Sequence, residues 1–142
     1  MEAPPRTIRP EEDERGFDVH LGWVHCLAHA ADCLSELNAH PNTPENELAA
    51  NTKAILDLIE RRGGRVFAWD EEYRLALPIA KALLLAKLEP LFGKFSREFL
   101  LKTTARQNFM NTFRAVYLEL IWSDAKPRGP IKMMESIIRE VY

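Results

Sequence analysis

His25, His29 and Asp32 fall four and three residues apart within Gly22-Trp23-Val24-His25-Cys26-Leu27-Ala28-His29-Ala30-Ala31-Asp32. On a helix this spacing puts all three on one stripe, where two imidazoles and a carboxylate could hold a divalent transition metal such as zinc. Hydrolysis at such an ion needs a base. Cys26 stands where a His-Glu-x-x-His motif carries its glutamate, so the acid would have to come from Asp70, Glu71 or Glu72. The same residues also fit a structural role: Asp32 accepts a hydrogen bond from His29, and both are buried against a helix that Ala28, Ala30 and Ala31 allow to approach. The structural role is preferred, and carboxylates at 70–72 are also what a helix start demands through its dipole.

Further side chains could contact a ligand. Trp23 and Trp69 could stack on one and Trp122 could anchor a partner, although aromatics at helical spacing more often belong to a core. The candidate binding set is therefore Trp23, His25, His29, Asp32, Trp69 and Asp70. Lys94, Arg97, Lys102 and Arg106, interleaved with Phe95 and Phe99, form the nearest approach to a basic strip, but a net charge of -2 speaks against nucleic acid. Gly63-Gly64 is a helix stop rather than a phosphate cradle. No serine or cysteine lies in a nucleophile motif.

The elements that must position these groups follow from composition and periodicity. A chain of 142 residues, 46% hydrophobic, can bury one core without disulfides. Cys26 and Cys33 would lie about 10 Å apart on one helix, too far for a bond with each other. Two free thiols and no secretory segment point to the cytoplasm. No apolar run is long enough to span a membrane. The charge is uneven, -6 over residues 1–70 and +4 over 71–142.

Residues 1–18, with Pro4, Pro5, Pro10 and the acidic run Glu11 to Glu14, read as a flexible arm, and 19–142 as a single helical domain. A first helix over Leu21 to Ala39 puts Trp23, Leu27, Ala30, Leu34 and Leu37 on one arc. Thr43 caps a second, which runs to Arg62, with Pro44 in its first turn. Asp70 caps a third over Glu71 to Leu88, kinked or split at Pro78. Another follows at 90–102. The clearest period is Phe109, Met110, Phe113, Val116, Tyr117, Leu120 and Ile121, and Pro130 opens a last helix bearing Ile131, Met134, Ile138 and Val141. The expectation is an all-α fold of about six helices packed as antiparallel hairpins, either a bundle or a HEAT-like α-solenoid fragment.

Arg15-Gly16-Phe17 and the segment from Gly22 to Asp32 fit an Arg-Gly-aromatic step followed by Gly-Trp-x-His-x-x-Ala-His-x-Ala-Asp. In these the chain resembles the bacterial family catalogued as domain of unknown function 2785 (DUF2785), with weaker likeness at Arg74-Leu75-Ala76 and Asn108-Phe109. Members are typically longer, so the resemblance implies the C-terminal part of a helical fold. It implies no catalytic residue. The reading that follows is a helical binding or scaffold module for a protein or small ligand. The alternative is a metal-dependent hydrolase or metalloprotein using His25, His29 and Asp32. Homo-oligomerisation through an apolar helix face is a further expectation.

Overall fold

A hairpin of two-residue strands, β1 (Phe17–Asp18) and β2 (Gly22–Trp23), leads into the helices. It belongs to a computed structural model that describes residues 15–62, 64–68, 70–85, 92–93 and 105–141. Among the described residues five helices follow: α1 (Cys26–Ala39), α2 (Glu45–Arg61), α3 (Glu71–Leu85), α4 (Arg106–Trp122) and α5 (Arg128–Val141). The fold is all-α apart from that hairpin. The helix expected over 90–102 apart from Phe92 and Gly93, the Gly63 stop, the last turn of the third helix at 86–88, and Trp69, Lys94, Arg97 and Lys102 lie outside the described residues, as do 1–14.

Local chemistry explains the helix limits. Glu45 and Glu47 in the first turn of α2 and Arg61 in its last match the two ends of the helix dipole. Thr43 does not cap α2. Its hydroxyl turns back and donates to the Leu37 carbonyl at 2.5 Å, closing α1 instead. Pro78 does not split α3, which is continuous through it. The Pro78 carbonyl accepts a hydrogen bond from the Asn38 side chain at 2.9 Å. In α5 the helix begins at Arg128 rather than Pro130, and the Pro127 carbonyl takes its first N–H, from Ile131.

The core is continuous across the helices. Leu27, Ala31 and Leu34 of α1 meet Leu75, Ala76, Ile79 and Leu83 of α3, backed by Ile55 and Ile59 of α2 and by Phe109, Phe113, Val116 and Leu120 of α4. Met134 and Ile137 bring in α5. The periodicity of α4 is therefore that of a core helix. α3 buries residues on more than one side because it lies between α1, α2 and α4.

The main neighbour of α1 is α3, not the sequence-adjacent α2. Asp32 meets Arg74 toward the start of both helices, and Glu36 meets Lys81 and Asn38 meets Pro78 farther along both, so the two helices point the same way. They run parallel. The expectation of antiparallel hairpins does not extend to this pair, because a connection that includes all of α2 returns the chain to its starting end.

Candidate functional site

The aromatic end of the Arg15-Gly16-Phe17 step and the opening Gly22-Trp23 of the longer motif are the two strands of one hairpin. Phe17 stands opposite Trp23 and Asp18 opposite Gly22, and the Val24 N–H extends the pairing to the Gly16 carbonyl at 3.0 Å. Asp18 builds the turn: one carboxylate oxygen accepts the His20 and Leu21 N–H groups, each at 2.9 Å, and the other accepts from Arg15 at 2.6 Å. Those two backbone donors, helped by Arg15, hold the Asp18 carboxyl below its usual range. Gly22 has φ +76, which an L side chain adopts only with strain. The Arg-Gly-aromatic and Gly-Trp patterns are thus hairpin chemistry. A strand of two residues is too short to show the alternation by which strands are recognised.

The expected helix start changes accordingly. α1 begins at Cys26, with His25 outside it in a left-handed conformation, φ 45 and ψ 29. Its carbonyl accepts the His29 N–H at 2.9 Å, but its side chain forms no cap hydrogen bond. His25 and His29 are therefore not successive turns of one helix. The His25 ring instead stands edge-on to Trp23, with centroids 4.7 Å apart, and lies 6.4 Å from the His29 ring. The His25 Nε2 is buried and has no hydrogen-bond partner. Phe17 completes the row, 5.1 Å from Trp23 at 72°.

Leu27, Ala30 and Leu34 of the expected arc are buried, whereas its ends, Trp23 and Leu37, are exposed, and Ala28, Ala31, Ser35 and Asn38 complete the buried face of α1. His29 is exposed as well. Asp32 is bonded not to His29 but to Arg74, whose Nη1 donates to both carboxylate oxygens at 3.0 and 2.9 Å. The buried His29–Asp32 lock expected from spacing gives way to an interhelical ion pair whose side chains are 42% and 38% exposed.

The acids at the start of α3 separate into different roles. Asp70, itself at φ 70, places a carboxylate oxygen 4.0 Å from Arg74 Nε, so the start of α3 does meet the Asp32 stripe, with a guanidinium between. Glu71 is buried, with one oxygen accepting from Arg65 at 2.9 Å and the other from the Ala68 N–H at 3.2 Å. It folds the connector onto the helix. Burial pushes the Glu72 carboxyl above its usual range, assisted by the neighbouring Glu71 and Asp70, and its Oε2 lacks a hydrogen-bond partner. Among the described residues no three His, Cys, Asp or Glu side chains converge closely enough to hold a metal ion.

Spacing alone missed several positioning residues. Arg74 was legible only as part of a motif. Asn38, fully buried, donates to the Pro78 carbonyl and accepts from Asn51 at 2.8 Å, tying together α1, α2 and α3. Its signal was a polar residue four positions beyond Leu34 on the buried line. Asn108 clasps the connector before α3, accepting the Phe67 N–H and donating to the Arg65 carbonyl, both at 2.8 Å.

The profile of a family described as protein of unknown function (DUF2785) matches residues 1–118. The chain belongs to the DUF2785 family. No curated protein and no solved structure matches it. In this DUF2785 member the motif residues form a row of rings, Phe17, Trp23, His25 and His29, and, farther along α1, the ion pair of Asp32 with Arg74. No helix among the described residues is long and apolar enough to cross a membrane.

Proposed function

We propose that this DUF2785 member is a helical binding module that docks a protein segment on the hairpin and the first turns of α1. The observation that carries this reading is the exposure of Phe17 and Trp23, 46% and 61%, on a hairpin already ordered by its own backbone and by Asp18. Covering one such ring removes about 100–150 Å² of apolar surface, or about 2.5–4 kcal/mol at ~25 cal/mol/Å². Because the rings are held before any partner arrives, little of that is lost to ordering them.

The ties of Asp32 to Arg74 and of Glu71 to Arg65 favour binding over hydrolysis: both carboxylates already serve as ion-pair partners. The parallel packing of α1 on α3 supports HEAT-like stacking. Cys26 and Cys33, neither of them in a disulfide, support a cytoplasmic setting.

Selection of displayed random peptides against the full chain tests the reading. Selected peptides should bind Phe17→Ser/Trp23→Ser at least about tenfold more weakly, with the melting temperature of that variant unchanged. Selected peptides indifferent to both rings would overturn it.

A second reading, self-association, rests on Leu118 and Trp122, exposed one turn apart on α4. Light scattering at rising concentration tests it: a mass that doubles, and returns to one chain in Trp122→Ser, is the expected result. A constant single-chain mass rejects it.

A further inference from the structure

We infer that the hairpin surface recognises a basic peptide segment, with an arginine side chain against the Trp23 indole and a second cation at the Asp32 and Asp70 carboxylates. The inference rests on the docking surface proposed above and specifies its partner. Phe17 and His25 both stand steeply against Trp23, at 72° and 61°, with centroids 5.1 and 4.7 Å away. Rings at such angles form a corner rather than a flat stack. An indole face attracts cations more strongly than any other side-chain ring, and the planar guanidinium can also stack on it.

Charge makes the same selection. Asp32 and Asp70 share the single guanidinium of Arg74, leaving one negative charge in excess, and Asp70 is the looser partner, 65% exposed and 4.0 Å away. A neutral apolar partner would have to desolvate that excess. A cation gains from it.

Spacing favours a peptide over a small ammonium ion. From Cys26, where α1 starts directly after His25, to Asp32 is about 9 Å along the helix at ~1.5 Å per residue. One cation cannot reach both places, whereas an extended chain covers that distance in about three residues at ~3.3 Å each. Two arginines three positions apart fit the surface.

The test uses the full chain labelled with nitrogen-15 and the Trp23 indole N–H resonance, assigned through Trp23→Phe. The probes are capped peptides of sequence Arg-Ser-Ser-Arg, the same peptide with citrulline for arginine, Glu-Ser-Ser-Glu, and tetramethylammonium chloride. The diarginine peptide should move the Trp23 resonance, bind about tenfold more tightly than the citrulline form, and weaken with added salt. Asp70→Asn, which tolerates the same left-handed backbone, should weaken it several-fold while leaving the citrulline peptide unaffected.

Equal binding of the arginine and citrulline peptides would overturn the inference, as would tetramethylammonium saturating the resonance as tightly as the diarginine peptide. Failure here is distinguishable from failure of the docking surface itself. Displayed peptides that require Phe17 and Trp23 but lack basic residues keep the surface and reject the cation. Displayed peptides that ignore both rings reject the surface.

Discussion

Arg74 of α3 donates to both carboxylate oxygens of Asp32 of α1, across 42 residues of sequence and between two parallel helices. The pair is half-exposed, so its contribution should be small. Arg74→Ala and Asp32→Asn should each cost about 0–1 kcal/mol, and the double variant little more than either. Urea unfolding of the four proteins measures the coupling. A cost near the ~3–5 kcal/mol of a broken buried pair would show that solvent does not reach these groups.

Asn38 contrasts with that pair because it is fully buried and uses both ends of its amide. Asn38→Ala leaves the Pro78 carbonyl and one Asn51 N–H without their partner. A loss of about 1–3 kcal/mol is expected, read as a lower urea midpoint at constant slope.

Acid should loosen the hairpin through Asp18. Its carboxyl is held below the usual range by the His20 and Leu21 N–H groups and by Arg15. The stabilisation is present above the ordinary aspartate range and is lost as pH falls through the depressed value. The ring-current shifts between Phe17 and Trp23 should therefore persist through the ordinary aspartate range and collapse only below it. In Asp18→Ala they should be reduced at every pH.

Tyr73 donates its hydroxyl to Glu119 Oε1 at 2.7 Å, linking α3 to α4. That bond, followed by partial burial and the Glu119 charge, holds the phenol above its usual range. Because the neutral form is favoured, the bond contributes below the ordinary tyrosine range and is lost as pH rises through the raised value. Phenolate absorbance should show one of the three tyrosines titrating late. Glu119→Gln should bring it back.

The periodic segments were legible because their information is local. Phe109, Phe113, Val116 and Leu120 recur at three and four residues whatever they pack against, and all four are buried. The Gly22 to Asp32 motif was equally visible, and so was membership of DUF2785. Its geometry was not. A left-handed His25 ends a hairpin and starts a helix in one step, which breaks the helical register that the His25, His29 and Asp32 spacing assumes.

Sequence alone therefore determined the helical class, the buried face of α4 and the residues of the motif, because periodicity and side-chain type act within a turn or two of chain. Only the tertiary structure decided that Asp32 pairs with Arg74 rather than His29, that Trp23 stands against Phe17 in solvent, and that Asn38 joins three helices. Those contacts join residues brought together by the parallel packing of α1 on α3 and by the hairpin turn that Asp18 and Gly22 build. Neither leaves a repeating pattern in the chain.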